Sequence, residues 1–322
     1  MSDGNVTVRV VKKLMEADGI ASFELAPVGD DRLPPFSAGS HIDVHLPDNM
    51  VRQYSLCNSP AENHRYLIAV LRDPKTRGGS SCMHDTVNEG QILEISKPKN
   101  LFELKRDAKK TILIAGGIGV TPILCMAHRL AIVGAQFEMH YASRSLSRTA
   151  FADQINASSF SSRVQFHLDD GPADQQFNAE RVLGRPESST HAYVCGPGGF
   201  IEHVLGTATN LGWVETNLHR EYFAAAVPTA NQSAGRFEVE IASTGKVFEV
   251  PVEKSVVQVL AEHGIDIPVS CEQGVCGTCV TRILGGDPDH RDMILTEAEH
   301  RQKDRFTPCC SRSKSARLIL DL

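Results

Sequence analysis

The sequence has no long apolar run, no export signal and no block of like charges. Its apolar stretches, such as Tyr66–Leu71 and residues 111–115, fall far short of the roughly 20 residues that span a bilayer. Residues 1–5 contain neither a basic nor an apolar segment of a signal peptide. With a net charge of −6 and no run of five like charges, the 322-residue chain gives no support to nucleic-acid or membrane-surface binding. We therefore expect a cytoplasmic monomer without membrane or nucleic-acid partners.

The sequence also lacks the cysteine pattern of a disulfide-stabilised secreted protein. It has nine cysteines, an odd number, and five of them fall between Cys271 and Cys310. A disulfide framework would spread an even number of cysteines over a short chain. Clustered cysteines in a long chain without an export signal instead indicate reduced thiols and metal chemistry.

The cysteine spacing indicates an iron–sulfur cluster. Cys271, Cys276 and Cys279 follow the pattern C-x4-C-x2-C, and Cys309 comes after twenty-nine intervening residues. This is the plant-type [2Fe–2S] ligand pattern, in which four thiolates supply two ligands to each iron. A structural zinc site would show paired CxxC or CxxH knuckles, so zinc is the weaker interpretation. Cys310 is adjacent to Cys309, and spacing alone does not choose between them.

The pattern of apolar and turn residues changes twice along the chain. Its first hundred residues are short alternating stretches between turns, which is typical of a β-barrel or sandwich. From about residue 109, buried strands alternate with helical segments, which predicts an α/β unit with a parallel sheet. Its first helix is predicted over 122–133, with Thr121 as the cap. The small, polar stretch 224–235 predicts a linker, followed by a hairpin and a helix capped by Ser255.

Two segments of the first part have the residue types of a flavin site. Arg52 and Tyr54 are alternate residues of a predicted strand and therefore share a face. An Arg fork suits a phosphate, and a Tyr ring can cover an isoalloxazine. Residues 77–81, Arg-Gly-Gly-Ser-Ser, combine a guanidinium, hydroxyls and backbone amides. Taken alone, a surface strand with one aromatic residue and a plain glycine turn would explain both segments equally well.

Two glycine-rich loops of the α/β part are candidates for a nucleotide site. Residues 116–122 read Gly-Gly-Ile-Gly-Val-Thr-Pro, and residues 195–199 read Cys-Gly-Pro-Gly-Gly. The first departs from the dinucleotide fingerprint, because Pro122 stands where the third glycine would fall. Both loops nevertheless follow predicted strands and precede predicted helices, where a pyrophosphate can bind.

In this order the motifs resemble those of the phthalate dioxygenase reductase family, which also includes vanillate demethylase reductases. The resemblance covers nearly the whole chain. It rests on residues 52–58 (RQYSLCN), 77–80 (RGGS), 115–122 (AGGIGVTP), 195–197 (CGP), 289–292 (DHRD) and 311–315 (SRSKS), together with the four cysteines.

The resemblance implies a multidomain protein. An antiparallel β-barrel domain that binds FMN would span 1–106, and an α/β NAD-binding domain with a parallel sheet would span 107–225. A linker would follow over 226–235, and a plant-type ferredoxin domain of the α+β, β-grasp class over 236–322.

The resemblance also implies roles for particular residues. Arg52, Arg77 and the amides of Gly78, Gly79 and Ser80 would hold the FMN phosphate, Tyr54 and Ser55 would lie along the isoalloxazine, and Phe223 would close the pocket. The nicotinamide site would comprise Gly117, Gly119, Thr121, Pro122, Ser143, Arg144, Cys195, Gly196 and Pro197. The cluster ligands would be Cys271, Cys276, Cys279 and Cys309.

The implied function is electron transfer from NADH through FMN and a [2Fe–2S] cluster, one electron at a time, to a separate Rieske-type terminal oxygenase. Cofactors carry this chemistry, so no catalytic acid, base or nucleophile is expected. Ser143 and Arg144 could meet the 2′-phosphate of NADPH, but NADH-using relatives have similar residues, and NADH is favoured. The alternatives are a flavin-dependent reductase of quinone or another acceptor, and a non-enzymatic iron–sulfur redox module.

Overall fold

The computed structural model describes residues 5–29, 32–47, 50–74, 78–223 and 235–322. The chain forms two compact units, Met1–Glu221 and Tyr222–Leu322. In the described part of the chain, the helices are all too short or too polar to cross a membrane.

The first unit begins with an antiparallel barrel. Its elements are β1 (Asn5–Ala17), β2 (Ile20–Pro27), β3 (Ser40–Leu46), β4 (Met50–Ser55), β5 (Tyr66–Leu71), α1 (Gly79–Asp85), β6 (Ile92–Ser96) and β7 (Lys99–Asn100). The strand order is β4-β3-β6-β1-β2-β5, with β7 on β3. An antiparallel bridge between Leu56 and Ile68 joins the two ends of this order. Apolar side chains such as Val10, Phe23 and Ile42 fill the interior, and the predicted barrel is confirmed.

The rest of the first unit is a doubly wound α/β sheet. Its elements are β8 (Lys110–Gly116), α2 (Val120–Ile132), β9 (Gln136–Ser143), α3 (Ala152–Asn156), β10 (Val164–Leu168), α4 (Ala179–Leu183), β11 (Thr190–Cys195), α5 (Gly198–Asn210) and β12 (Leu218–Glu221). Short 3-10 helices cover Gly117–Gly119, Leu146–Arg148, Ser161–Arg163 and Glu215–Asn217. All pairs are parallel, in the order β10-β9-β8-β11-β12. The order reverses between β8 and β11, which is where such sheets open a ligand crevice.

The start of α2 differs from its prediction. The helix begins at Val120, and Gly119 occupies the N-cap position. Thr121 lies inside the first turn, buried, and its hydroxyl donates to the carbonyl of Ile118 at 3.2 Å. The prediction that Thr121 caps this helix is therefore wrong, because the tight 3-10 turn of the preceding glycines carries the chain into the helix earlier. Pro122 does lie in the first turn, as predicted.

The second unit has the β-grasp arrangement predicted for a ferredoxin domain. Its elements are β13 (Phe237–Ile241), β14 (Lys246–Val250), α6 (Val256–Glu262), β15 (Thr281–Gly285), β16 (Pro288–Asp289), α7 (Glu297–Gln302), β17 (Arg305–Phe306), β18 (Arg312–Ser313) and β19 (Arg317–Leu320). The main sheet runs β14-β13-β19-β15-β17, and β16 pairs with β18. Ser255 caps α6 in a capping box with Gln258, as predicted. Of the predicted linker, only Gly235 belongs to the described residues.

Candidate functional site

Strand β4 and the start of α1 bring together the candidate phosphate-binding groups. A Cβ added to Gly79 would stand 2.6 Å from both Cγ and Nε of Arg52, so only glycine lets this guanidinium lie against the helix. Gly78 precedes the helix with φ +93°, a conformation that favours glycine. The Nη1 group of Arg52 donates to the carbonyl of Val51 at 2.7 Å. The guanidinium of Arg52 therefore lies next to the backbone amides at the start of α1, as a phosphate site requires.

Part of the predicted phosphate loop is helix. Gly79 and Ser80 are the first two residues of α1, and the hydroxyl of Ser80 accepts a hydrogen bond from the amide of Asp73 at 3.2 Å. Arg77 lies outside the described residues.

A partly buried carboxyl that the sequence analysis missed stands beside Ser55. The Ser55 hydroxyl donates to Oε2 of Glu221 at 3.4 Å, although the two residues are 166 positions apart in the chain. Burial raises the pKa of Glu221 to about 8, so the carboxyl is mostly protonated at neutral pH. Glu221 ends β12 and pairs in register with Cys195, which ends β11. The short, unpredicted strand β12 is what positions it.

The two glycine-rich loops interlock at the crevice of the α/β sheet. A Cβ on Gly119 would overlap the carbonyl group of Cys195, and one on Gly196 would stand 3.0 Å from Cα of Gly116. A Cβ on Gly116 would also strike the ring of Phe200, at 2.8 Å from Cδ1. These glycines are therefore required by the close approach of the two loops. Gly117 has φ +53°.

Ser143 and Arg144 lie where β9 ends, next to an acidic pair. The amides of Asp169 and Asp170 donate to the carbonyls of Ser143 and Arg144 at 3.0 and 3.2 Å. The hydroxyl of Ser143 is buried and hydrogen-bonds to Oγ1 of Thr149 at 2.5 Å. Arg144 and both aspartates are exposed. The crevice edge thus offers one cation and two carboxylates, and the sequence analysis considered only the cation.

The four cysteines of the plant-type pattern are buried together in the second unit. Their exposed fractions are at most 9%. The thiol of Cys271 interacts with that of Cys276, and the thiol of Cys309 interacts with those of Cys279 and of the neighbouring Cys310. These contacts lower the pKa of Cys276 to about 5 and also lower the pKa of Cys279, so each pair readily forms a thiolate. Two pairs of sulfurs match the two ligands that each iron of a [2Fe–2S] cluster takes.

Backbone amides and glycines complete the cysteine pocket. The amide of Gln273 donates to Sγ of Cys271 at 3.3 Å, and that of Thr278 donates to Sγ of Cys276 at 3.5 Å. Gly274 and Gly277 have φ +74° and +72°, in the region where side chains cause strain. The pocket therefore has the amide donors and the tight loop that an anionic cluster requires.

Cys309 and Cys310 are distinguished by their contacts. Cys309 packs in the hydrophobic core of the unit with Cys279. The thiol of Cys310 hydrogen-bonds to the hydroxyl of Thr307 at 3.2 Å and fills the space where a Cβ of Gly274 would stand. The two residues lie in a turn before β18 and not on a strand, so their adjacency alone does not place the two side chains on opposite faces. Their different contacts nevertheless support Cys309 as the fourth ligand.

Comparisons with known proteins agree with this arrangement. Residues 239–314 match the family of 2Fe-2S iron-sulfur cluster binding domains. The vanillate O-demethylase oxidoreductase of Pseudomonas putida is 54% identical over 314 residues, which is 97% of this chain and 98% of that protein.

Two solved structures resemble the whole chain. One is phthalate dioxygenase reductase, described as a modular structure for electron transfer from pyridine nucleotides to [2Fe–2S]. It has a TM-score of 0.78 and 38% identity, over 99% of this chain and 98% of that one. The other is an intact type IV self-sufficient cytochrome P450 monooxygenase, with a TM-score of 0.85 and 33% identity, over 99% of this chain and 41% of that one.

Proposed function

Because the chain belongs to the family of phthalate dioxygenase reductase and vanillate O-demethylase oxidoreductase, we propose that it is the reductase component of a Rieske-type oxygenase system. It takes electrons from NADH and passes them through FMN and a [2Fe–2S] cluster to a terminal oxygenase. The observation that carries this proposal is the four-cysteine pocket in the same chain as a flavin-type strand and a nucleotide crevice. A cluster would be superfluous in a reductase that gives hydride to a quinone.

The proposed domains are an FMN-binding barrel over 1–106, an NAD-binding domain over 107–225, a linker over 226–235 and a ferredoxin domain over 236–322. The change from the barrel to the parallel sheet between β7 and β8 supports the first boundary. The division of the chain after Glu221 supports a further boundary in that region.

The FMN phosphate would be held by Arg52, Arg77 and the amides of residues 78–80, with Tyr54 and Ser55 along the ring and Phe223 closing the pocket. When bound, FMN supplies the conversion of a hydride into single electrons. Burial raises the pKa of the Tyr54 hydroxyl, so its ring stays uncharged. The hydroxyl of Ser55 is held by Glu221 at 3.4 Å. Ser55 and Glu221 together place a hydroxyl and a protonated carboxyl at the end of β4, the proposed flavin-binding strand.

NADH would bind in the crevice between β8 and β11. Gly119 and Gly196 supply close backbone approach, and Gly117 and Pro197 would border the ligand in the same two loops. Thr121, Pro122 and Cys195 are buried and act by shaping the loops. Ser143 and Arg144 would lie near the adenosine ribose. Asp169 and Asp170 stand beside them and would repel a 2′-phosphate, which supports NADH over NADPH.

The proposal is tested by reconstituting electron transfer. The purified holoprotein, NADH and the oxygenase component of a vanillate O-demethylase are combined, and NADH oxidation is measured together with formaldehyde release from vanillate. This oxygenase is chosen because the P. putida relative carries that name. We expect formaldehyde release to require this protein, NADH and the oxygenase component together. Rapid NADH-dependent cytochrome c reduction without turnover of any Rieske-type oxygenase would contradict the proposal.

A haem monooxygenase is a second candidate acceptor, since the chain also matches part of a self-sufficient P450. Replacing the Rieske-type oxygenase by a P450 in the same assay separates the two.

We further propose a cytoplasmic monomer, since cluster assembly requires reduced thiols and the nine cysteines are free. Its mass in solution checks the second part.

A further inference from the structure

Three side chains outside the cysteine pocket converge in the second unit. Nδ1 of His290 lies 3.5 Å from Oδ1 of Asp292, and Nε2 of His300 lies 3.3 Å from Oδ2 of the same carboxylate. The two imidazole rings stack with their centroids 4.1 Å apart. One ligand atom from each residue can be chosen so that all three lie within 4.8 Å of one another.

The groups of this cluster are buried and incompletely satisfied. The Asp292 side chain is fully buried, and that of His290 is 9% exposed. Both ring nitrogens of His290 and Oδ1 of Asp292 are without a hydrogen-bond partner among the described residues. A buried imidazole or carboxylate without a partner is costly, so such a group usually marks a ligand or a functional role. The His300 side chain is 29% exposed and leaves the cluster reachable from solvent.

We propose that His290, Asp292 and His300 form a second metal site, separate from the four cysteines, for a first-row divalent transition ion of the zinc type. Two imidazoles and one carboxylate are the donor set that such ions favour, whereas Mg²⁺ and Ca²⁺ take oxygen ligands. A tetrahedral site with bonds of about 2.0–2.1 Å places its ligand atoms about 3.4 Å apart. Nδ1 of His290 and Nε2 of His300 each lie at about this distance from a carboxylate oxygen of Asp292, but from different ones, Oδ1 and Oδ2. Coordination through a single oxygen therefore requires the imidazole rings to rotate.

A further observation favours an ion here. The second oxygen of Asp292 accepts from the amide of Leu295 at 2.9 Å, which fixes the carboxylate in the way that outer-shell hydrogen bonds orient metal ligands.

The site adjoins the loop that carries Cys271 and Cys276. The amide of Met293 donates to the carbonyl of Gly274 at 2.9 Å, and a Cβ on Gly274 would stand 2.9 Å from Cα of Asp292. An ion held by Asp292 therefore adds positive charge close to this loop. Positive charge there favours the reduced form of an iron–sulfur cluster.

Zinc binding to the tag-free holoprotein tests the proposal. The protein is cleared of loose metal with a chelator, dialysed against micromolar Zn²⁺, and analysed for zinc, iron and acid-labile sulfide. We expect one zinc per chain with the iron content unchanged. His300→Gln should weaken zinc binding at least about 10-fold, since it removes a ligand from a three-ligand site. His203→Gln, at an exposed position on α5, is the matched control and should bind zinc like the wild type.

X-ray absorption at the zinc edge of the wild type decides the ligand type independently of the variants. Nitrogen and oxygen neighbours at about 2.0–2.1 Å are expected, whereas zinc on cysteine would show sulfur at about 2.3 Å. The proposal is overturned if the wild type takes up no zinc, if His300→Gln binds it equally well, or if sulfur surrounds the ion. If the wild type takes up no zinc, the three side chains only hydrogen-bond to one another and have a structural role.

Discussion

The cysteine pocket of the second unit and the nucleotide crevice of the first differ in how far apart their residues lie in the chain. Three of the four cysteines stand within nine residues of one another. The crevice instead joins the loop after β8 to the loop after β11, and Ser55 meets Glu221 across 166 positions. A site built on one loop can be recognised from the spacing of its residues in the sequence. A site whose residues are brought together by the sheet topology can be recognised only once the fold is known.

The cysteine pocket gives the largest expected effect. Cys309→Ser should lose or badly destabilise the cluster, because one of its four ligands becomes a poor one, while NADH still bleaches the flavin. Cys310→Ser should keep the cluster, because its thiol contacts Thr307 and Gly274. Iron, sulfide, the electron paramagnetic signal after reduction and cytochrome c reduction are measured for both. The reverse pattern would assign the fourth ligand to Cys310.

Glu221 tests the second kind of site, because it is brought to Ser55 by the fold and not by its position in the sequence. Its pKa is about 8 when folded and near 4.5 when unfolded, so the folded protein holds a proton that the unfolded chain releases. Stability should therefore fall as the pH rises from about 4.5 to 8, by on the order of 4 kcal/mol. In Glu221→Gln this loss should disappear. Urea unfolding followed by the fluorescence of Trp213, the single tryptophan, measures it.

The control for this experiment is Glu215→Gln, which changes an exposed carboxyl three residues before β12. It should keep the pH dependence of the wild type. Equal pH slopes in both variants would show that Glu221 is ionised in the folded protein.

Gly119 tests how tightly the two loops of the crevice must interlock. In Gly119→Ala the new Cβ meets the backbone carbonyl of Cys195, which cannot move without shifting β11 or its loop. A displacement of about 1 Å typically costs about 100-fold in rate. We expect that loss in stopped-flow reduction of the flavin by NADH, with reduction by dithionite unchanged. Gly198→Ala, where a Cβ has nothing within 4 Å, should behave like the wild type.

Features that depend on neighbouring residues could be predicted from the sequence, whereas contacts between distant parts of the chain could not. The Ser255 cap was predicted correctly, because it depends only on neighbours in the chain. Thr121 was wrongly predicted as a helix cap, and the helix that begins at Gly79 was not predicted, because competing local capping patterns look alike in sequence. Glu221 was missed altogether, because the four-residue β12 has no periodic signal and its partner Ser55 lies in the barrel.

Arg52 tests the flavin strand. Arg52→Ala should weaken FMN retention about 10- to 150-fold, since a charge-assisted hydrogen bond contributes about 1.5–3 kcal/mol. Arg52→Lys should lose less, because it keeps the charge without the planar fork. Flavin released by denaturation is identified and quantified by chromatography. If the native protein releases mostly FAD, or if Arg52→Ala retains FMN fully, the assignment of this strand to the FMN phosphate is wrong.

The smallest effect is expected where the crevice meets the nucleotide ribose. Asp169 and Asp170 are exposed beside Ser143 and Arg144, so they act on a 2′-phosphate through solvent. Each repulsion is then worth about 1 kcal/mol and is screened by salt. The double variant Asp169→Asn, Asp170→Asn should raise kcat/KM for NADPH about 10-fold at low salt and leave NADH nearly unchanged, whereas Arg144→Ala should change the NADH value little. If the native protein already prefers NADPH, Arg144 outweighs the two carboxylates and is itself the 2′-phosphate ligand.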